Sequence, residues 1–569
     1  MARIHSAAEL EEVRKGIVSK KDPTKPCVAI CGGTGCLGGR ESLVHAFEEE
    51  IKKQSLEGKV DLRVTGCHGF CAQGPNLILY PEEICYVKVQ PEDAAEIVSR
   101  TLIEKKVVDR LVYTDPVTAQ KAVYQSEIPF YSKQTRNLLG MNPRIDPRSI
   151  EDYLAIGGYS ALAKALLQMS PEQVLEEVKK ANLRGRGGGG FPAGLKWETA
   201  RNAKAEVKYV ICNGHEGEPG AYMDRAIFQG NPHLILEGLI IGGYAVGARQ
   251  GFVYTRHDMP KLRENIDLAL KRAEEYGFLG RNILGSGFDF QIEVHLDVGI
   301  FVSGEASALM RSIEGKAPEP RPKYTRTAVK GIWERPSNLN NVETWANVPQ
   351  IIQRGADWYA GIGTERSKGT KMVSLSGNIV NAGVVEVPFG TSLREIVYEI
   401  GGGIPNGKQL KAVHFGAAMG GSLPAELIDT PLDFDVLSKL GAAIGAGGLF
   451  VMDEDTSMVR MGRFFLDFLA RESCGKCVPC REGIRQMLRI FTRMSEGKGR
   501  EGDIETLEEL CEVGALASLC ALGKTTSSPI RSGLRFFRNE YETSIQSATQ
   551  DLTAVGGKAG MTAGESKKR

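Results

Sequence analysis

Apolar positions along the chain change period several times, and each change marks a candidate element. Helical spacing runs through EDYLAIGGYSALAKALLQ (151–168) and PEQVLEEVKKANL (171–183), where apolar residues return every three or four positions. Before them, the short apolar runs CVAI (27–30) and NLILY (76–80) read as strands of a compact αβ unit over 26–103, preceded by a polar helical extension, 1–25. Residues 104–145, rich in Pro, Arg and Lys, read as a linker. From Lys208 the apolar runs YVIC, LIIGGYAVGA and GFVY alternate with helical stretches, the pattern of an α/β sheet domain over 146–350. In 371–390, KMVSLSGNIVNAGVVEVPFG predicts two strands around a turn, and TSLREIVYEIGGG after it predicts a helix stopped by glycine. A small β-grasp-like module is therefore expected over 351–440. The rest, 441–549, reads as mainly helical, with amphipathic spacing in MGRFFLDFLARES and SGLRFFRNEYETSI. The small, polar segment 550–569 is expected to be a disordered tail.

Charge and hydropathy remove several function classes. A formal charge of +1 gives no basic field for nucleic acid or anionic lipid. The longest apolar stretch, Leu234 to Ala248, is interrupted by Glu237 and falls short of a membrane span, and MARIHSAAELEEVRK has no apolar signal core. A cytoplasmic location is the expectation. Twelve cysteines are many for such a chain, and eight of them fall in two tight groups. That grouping, without a secretion signal, points to metal rather than to a disulfide framework.

Near the carboxyl end, Cys474-Gly-Lys-Cys477-Val-Pro-Cys480 offers three thiols at two-residue intervals, with Cys520 available from a later segment. This spacing suits a [4Fe–4S] cluster, as in ferredoxin-type runs, whereas zinc sites more often use two separated pairs. Cys511 competes for the fourth place but sits inside the helical pattern TLEELCEV. Near the amino end, Cys31-Gly-Gly-Thr-Gly-Cys36 and Cys67-His-Gly-Phe-Cys71 form a second tetrad on two loops, suited to a [2Fe–2S] cluster with two thiolates per iron; zinc or plain buried thiols are the alternatives. His68 is a further ligand candidate. Cys27 and Cys85 read as buried apolar residues.

Two segments suit a nucleotide or flavin. Arg184-Gly-Arg-Gly-Gly-Gly-Gly-Phe-Pro-Ala-Gly-Leu-Lys-Trp (184–197) lets backbone N–H groups approach a phosphate, with Arg186 and Lys196 adding positive charge; a flexible loop is the bland alternative. YVICNGHEGEPGAYMDR puts Asn213, Glu216, Glu218 and Asp224 at the carboxyl end of a strand, where open α/β sheets bind ligands, though an acidic surface turn reads equally well. Gly304 and Glu305, then Asn340, Asn341 and Glu343, follow in later segments.

Together GRGGGGFPAGLKW, NGHEGEPGAYMDR, SGEASALMRSIEGK, NNVETWANVP and ESCGKCVPC resemble the family of flavin-bearing, NADH-oxidising subunits of respiratory complex I. The closer likeness is to the beta subunits of NAD(P)-dependent, electron-bifurcating hydrogenases and formate dehydrogenases, over residues 26 to 545. The resemblance implies an α/β multidomain fold: a thioredoxin-like ferredoxin domain, a Rossmann-like FMN domain, a β-grasp (ubiquitin-like) domain and a C-terminal helical bundle with an iron–sulfur cluster. It implies cofactor contacts from Gly185, Arg186, Gly187, Gly188, Asn213, Glu216, Gly217, Gly304, Glu305, Asn340 and Asn341, with Glu216 beside flavin and nicotinamide as the catalytic candidate. Phe191 is placed against the adenine, and Lys196, Glu218 and Lys323 against polar parts of the dinucleotide. Cys474, Cys477, Cys480 and Cys520 match the [4Fe–4S] ligands.

The implied chemistry is hydride transfer between NAD(H) or NADP(H) and FMN, then single-electron steps through the clusters, with bifurcation open. The flavin supplies the two-to-one electron conversion and the protein orients it. Expected partners are a small thioredoxin-like [2Fe–2S] subunit and a larger iron–sulfur or catalytic subunit such as a hydrogenase, a formate dehydrogenase or another reductase. Departures from the family pattern cluster near the nucleotide: His215 replaces an Asp, Ala306 a Glu, and Arg326 an aromatic ring. A more positive pocket suits the 2′-phosphate of NADP(H). The competing reading is an electron relay with a degenerate dinucleotide site.

Overall fold

Four short apolar runs near the amino end pair into the first sheet of the computed structural model, which describes residues 3–34, 40–322, 324 and 326–545. β1 (Cys27–Cys31) and β2 (Asp61–Thr65) run parallel, joined by the helix Arg40–Lys53. β3 (Leu77–Tyr80) and β4 (Ile84–Tyr86) follow antiparallel, in the order β2–β1–β3–β4. Val28, Ile30, Phe47, Leu77 and Leu79 fill the core beside this sheet. The amino-terminal helix, Ala7–Ser19, begins at Ser6, whose hydroxyl accepts from Glu9 N–H. It packs on the central domain instead of on this sheet: Arg14 donates to the Leu154 carbonyl at 3.0 Å, and Leu10 and Ile17 join the core cluster of Tyr153 and Leu154.

Residues 104–145 do not behave as a linker. β5 (Tyr113–Thr114) and β6 (Lys121–Ala122) form a small ribbon, and bridges join Tyr86 to Val112 and Ile84 to Tyr124. Phe130 stacks on Phe70 at 4.0 Å between ring centroids, and the Glu386 carboxylate accepts from the backbone N–H groups of Leu138 and Leu139 at 2.9 and 3.0 Å. Apolar residues are spaced irregularly through this strap, so periodicity gave no sign that it is packed at both ends.

The central sheet is wholly parallel, β10–β7–β8–β9, from β7 (Tyr209–Gly214), β8 (Gln250–Thr255), β9 (Gln291–Leu296) and β10 (Ser337–Asn341). The run LIIGGYAVGA is not a strand: it forms the end of the helix Pro232–Val246, capped by the Asn231 side chain and stopped by Gly247 in the left-handed region, φ 78°. Complete burial erases the polar face that marks an amphipathic helix. Its glycines let Trp345 approach closely. A Cβ on Gly242 would lie 2.2 Å from the Trp345 ring, and one on Gly238 2.1 Å from the Trp345 carbonyl oxygen. The 151–168 helix is broken into Ile150–Ala155 and Ser160–Gln168 at Gly157, φ 97°, and Tyr159, φ 60°.

The third sheet has five strands, β12–β11–β15–β13–β14. β11 (Thr370–Gly377) and β12 (Gly383–Pro388) are the expected antiparallel pair; β13 (Leu410–Phe415) and β14 (Gly421–Pro424) form a second. Its middle strand, β15 (Gly448–Asp453), lies parallel to β11 and antiparallel to β13. A boundary at 440 therefore cuts this sheet, because a strand's partners are set by pairing rather than by chain distance. The helices Met458–Glu472, Val478–Ser495, Asp503–Ala517 and Ser527–Phe536 complete the carboxyl-terminal part, as the helical spacing predicts. The expected tail, 550–569, lies outside the described residues. No helix among them is long and apolar enough to cross a membrane.

The close approach at Gly242 yields a prediction. Gly242→Val forces Trp345 aside in a packed core and costs about 1–3 kcal/mol, read as a lowered thermal unfolding midpoint, whereas Gly247→Asn at the exposed cap changes stability far less.

Candidate functional site

The central sheet, the segments around the third sheet and the carboxyl-terminal helices meet around a cavity of 210 Å³ at the carboxyl end of β7. Its walls come from the glycine loop (Gly187), the β7 loop (Asn213, His215, Glu216, Gly217, Glu218), the turn Phe301–Glu305, Asn341, and Ala446 of the segment before β15. Ala521 and Leu522, directly after Cys520, close one side. A neighbouring cavity of 540 Å³ shares Glu305 and is lined by Phe191, Lys196, Arg321, Tyr324, Arg326, Lys330 and Glu334.

Glycine is required where these walls approach one another. A Cβ on Gly304 would lie 2.8 Å from His215 Nδ1, and one on Gly187 3.0 Å from Asn341 Cβ. Gly188, φ 109°, bridges to Gly445 and ties the glycine loop to the third sheet. Gly185 N–H donates to the Phe191 carbonyl at 2.9 Å, closing the loop on itself. Helix Ala193–Asn202 starts immediately after it.

Several predicted residues also hold the protein's own chain in place. Arg186 is fully buried: its guanidinium donates to the Tyr359 hydroxyl and the Lys368 carbonyl, both at 2.7 Å, and lies 3.8 Å from the Glu343 carboxylate. Lys371 pairs with the same Glu343, which also accepts from Met372 N–H at 2.9 Å. Arg186 thus anchors the loop from behind and is not aimed at a phosphate. Glu216 lines the cavity with a left-handed backbone, φ 36°, but its two carboxylate oxygens accept from Asp224 N–H at 2.7 Å and Arg225 N–H at 3.0 Å. It therefore holds the start of helix Met223–Gly230. Asn340 is buried, and after exchange of its amide atoms it accepts from Trp197 Nε1 at 2.9 Å. Asn341 caps helix Val342–Arg354 through Glu343 N–H and donates to Asp224.

The remaining groups suit a hydroxyl-rich, anionic ligand. Burial pushes the Glu218 carboxyl up to about 7, and its Oε1 is buried without a hydrogen-bond partner beside the cavity. Burial and the neighbouring Glu216 and Glu343 carboxylates push Asp224 well up as well. Asn213 Nδ2 donates to the Gly304 carbonyl at 3.0 Å. A flavin with its ribityl hydroxyls and phosphate fits this set: an orphaned acceptor, glycine walls and backbone N–H groups. In the second cavity, Lys196 donates to the Leu339 carbonyl at 2.8 Å, and burial lowers its ammonium to about 8. The Arg326 guanidinium stands 5.8 Å over the exposed Phe191 ring, and Arg321 pairs with Glu334 at 3.0 Å. Lys323 lies outside the described residues.

Cys474, Cys477, Cys480 and Cys520 gather in one hydrophobic cluster between helices. Cys477 stands at the amino end of helix Val478–Ser495, whose dipole favours a thiolate there. Cys480 Sγ lies 3.2 Å from Ser473 Oγ, and burial pushes its thiol up to about 12; a metal would have to displace that proton. Cys511 points elsewhere, 3.9 Å from Met487 sulfur. Lys476 in this loop reaches the Pro320 carbonyl and Glu319, next to the second cavity.

At the amino end, Cys67 lies within hydrogen-bonding reach of Cys31 and Cys71; Cys36 lies outside the described residues. His68 turns away, its Nε2 2.8 Å from Thr65 Oγ1, while its backbone N–H donates to Cys31 Sγ at 3.4 Å. The thiol loops dock on the central domain and on the third sheet: Thr34 and Gln229 exchange hydrogen bonds at 3.1 and 2.6 Å, and Val384 N–H of β12 donates to the Gly69 carbonyl at 2.7 Å. Among the described residues, no three His, Cys, Asp or Glu side chains converge as the ligands of one ion would.

Sequence reading missed Asp297, which bridges His215 and His257; no motif links residues 82 and 40 positions apart. It also missed that the residues after Cys520 wall the first cavity.

Comparison with known proteins agrees with this geometry. Residues 178–350 match the Nuo51 FMN-binding domain, and residues 460–544 the NADH-ubiquinone oxidoreductase-F iron–sulfur binding region. The chain is 49% identical over 401 residues to the NADP-reducing hydrogenase subunit HndC of Solidesulfovibrio fructosivorans, covering 70% of this chain and 81% of that one. It is 38% identical over 413 residues to the F subunit of NADH-quinone oxidoreductase from Escherichia coli (strain K12), covering 72% and 93%. Its fold resembles a chain of NAD+-reducing [NiFe]-hydrogenase in the H2-reduced state, with a TM-score of 0.65 at 24% identity, over 98% of this chain and 94% of that one. The chain therefore belongs to the family that includes the F subunit of NADH-quinone oxidoreductase and the hydrogenase subunit HndC, whose members carry the FMN-binding and iron–sulfur domains matched here.

Proposed function

We propose that this chain is the NAD(P)H-oxidising subunit of a larger redox complex, taking a hydride from the dinucleotide onto FMN and passing electrons singly to iron–sulfur clusters. The observation that carries the reading is the shared wall: Ala521 and Leu522, adjacent to the ligand candidate Cys520, line the cavity formed by Asn213, Glu218 and Gly304. A flavin there lies next to a cluster held by Cys474, Cys477, Cys480 and Cys520.

Each residue's part follows from its position. The glycines at 187, 217 and 304 let Asn341 and His215 pack into the cavity wall, Glu218 and Asn213 face the ligand's hydroxyls, and buried Arg186 and Glu343 fix the loop. FMN, when bound, supplies the conversion between a two-electron hydride and single electrons. Phe191 offers a face for the adenine, and Lys196 and Arg326 offer charge for phosphates. Two observations favour NADP(H): Arg326 stands over Phe191, and the HndC relative is an NADP-reducing subunit. A guanidinium recognises a 2′-phosphate in bidentate fashion.

In the same reading the domains are thioredoxin-like, Rossmann-like, β-grasp-like and a helical bundle. The Cys31, Cys36, Cys67 and Cys71 set holds a [2Fe–2S] cluster. It is supported by Cys31 and Cys71, each within hydrogen-bonding reach of Cys67, and by the placement of Cys67 and Cys71 beside Tyr222 and of Cys71 beside Arg225, at the start of the helix that Glu216 holds. A separate thioredoxin-like [2Fe–2S] subunit and a larger iron–sulfur or catalytic subunit complete the complex, with cytoplasmic assembly and bifurcation at the flavin as further parts of the reading.

The deciding experiment is anaerobic reconstitution followed by mixing with stoichiometric NAD(P)H: prompt bleaching of a yellow chromophore is expected. A flavin that forms but is not reduced would leave only the relay reading. Cys520→Ser is expected to remove the paramagnetic signal of the reduced [4Fe–4S] cluster and electron delivery beyond the flavin, while flavin content and its bleaching persist. Cys67→Ser removes only the [2Fe–2S] signal. Arg326→Ala is expected to raise KM for NADPH by about 10- to 100-fold, the worth of a charged hydrogen bond of about 1.5–3 kcal/mol, with little change for NADH. Lys196 loses its charge as pH rises through about 8, so dinucleotide binding weakens above that pH in the native protein and loses this dependence in Lys196→Gln.

A further inference from the structure

One constellation beside the flavin cavity has no part in holding the ring or the clusters. His215 is almost wholly buried. Its Nε2 lies 3.0 Å from Asp297 Oδ2, and the other oxygen, Oδ1, takes His257 Nδ1 at 2.6 Å and His257 backbone N–H at 3.0 Å. Asp297 is buried, while the His257 side chain is 53% exposed. The set therefore runs from the cavity wall, through a buried carboxylate, to solvent. The other ring nitrogen of His215, Nδ1, abuts the glycines of the cavity wall that His215 itself helps to line: a Cβ on Gly304 would lie 2.8 Å from it, and one on Gly217 2.9 Å. Both glycines are part of the same wall. Although burial pushes the Asp297 carboxyl up, hydrogen bonds from His215 and His257 hold it far below the usual carboxylate range. An ionised carboxylate thus sits behind each imidazole.

Hydride transfer leaves a proton unaccounted for. The nicotinamide C4–H bond breaks and delivers one proton with two electrons, so full reduction of the flavin follows NAD(P)H + flavin + H+ → NAD(P)+ + dihydroflavin. The second proton must come from a group at the cavity. Resting on the flavin reading above, we infer that His215 supplies this proton from Nδ1, and that Asp297, with His257 on its far oxygen, is the positioning residue that fixes the ring. After the transfer the ring is neutral, with Nε2–H still donated to Asp297. A solvent proton later returns to Nδ1. No oxidant or other co-reactant is needed.

The charged groups that face this set are few. Arg256 lies near both Asp297 and Glu216 and is paired with Asp258, which also faces His257. Tyr254 stacks beside His215 at 6.3 Å between ring centroids, and Phe301 packs on the other side at 6.3 Å. Glu216 uses both carboxylate oxygens to accept from the helix start, so it is poorly placed to serve as the donor.

The test is the midpoint potential of the bound flavin, followed anaerobically by its visible spectrum over about pH 5 to 8, where imidazoles titrate. In the flavin-loaded wild-type chain the plot of potential against pH is expected to bend within this range. In His215→Asn the bend is lost, and in Asp297→Asn and His257→Gln it is displaced. Because His257 is exposed, His257→Gln serves even if His215→Asn loses its flavin. An identical profile in His215→Asn and wild type overturns the assignment, as does an undisplaced profile in His257→Gln where His215→Asn holds no flavin. A wild-type chain that binds no flavin fails earlier and strikes the functional reading itself, so the two failures are distinguishable.

Discussion

The site depends on one buried charge arrangement. Glu343 stands between Arg186 of the glycine loop and Lys371 of the third sheet, and all three side chains are almost completely removed from solvent. Isolated, any one of these ions would carry a desolvation cost of several kcal/mol. Together, with the Tyr359 hydroxyl, the Lys368 carbonyl and Met372 N–H as hydrogen-bond partners, they hold loop, helix and sheet in one relative placement, with Arg186 Nε left facing Glu343 at 3.8 Å without a hydrogen bond. A loop of consecutive glycines has no side chains with which to hold its own shape. Here its shape is imposed from below, and by the Gly185 and Arg186 N–H groups, which donate to the Phe191 carbonyl and the Thr344 hydroxyl.

A second consequence of this arrangement is continuity. The first sheet, the central sheet and the third sheet share no strands, yet each touches the helix Met223–Gly230 or the loop before it. Gln229 meets Thr34, Glu216 holds the helix start, and Ser374 donates to the Gly220 carbonyl. On the other side of the cavity, Leu522 brings the helical bundle to the same wall. Electron transfer between cofactors requires fixed separations, and this packing places both thiol groups against one rigid centre.

The sequence showed the chemistry more clearly than the architecture. Glycine density, the acidic turn and the cysteine spacings are local, and the glycine loop, the acidic turn and the residues after Cys520 line one cavity. The helices at the carboxyl end and the β11–β12 pair followed their periodicity. What stayed hidden is non-local. Arg186 looks like a phosphate ligand beside glycines, but its direction depends on Glu343 and Tyr359, over 150 residues away. Glu216 reads as a free acid, yet the helix that follows it uses both its oxygens. The helix Pro232–Val246 shows no amphipathic stripe because its surroundings are apolar on nearly every side. The strap at 104–145 is fixed by bridges to β4 and by Glu386, neither of which leaves a trace in its own composition.

The central place of β15 carries a consequence for biosynthesis. β12 separates β11 from β13 in the chain, but in the finished sheet β15, which starts only at residue 448, lies between them. As the nascent polypeptide leaves the ribosome, two hairpins exist with open inner edges and no partner for either. Unpaired edges invite association with other chains. The interval before residues 448–453 emerge is thus the period when this protein most needs shelter, and the flavin cradle, whose wall includes the preceding Ala446, cannot close until that interval has passed.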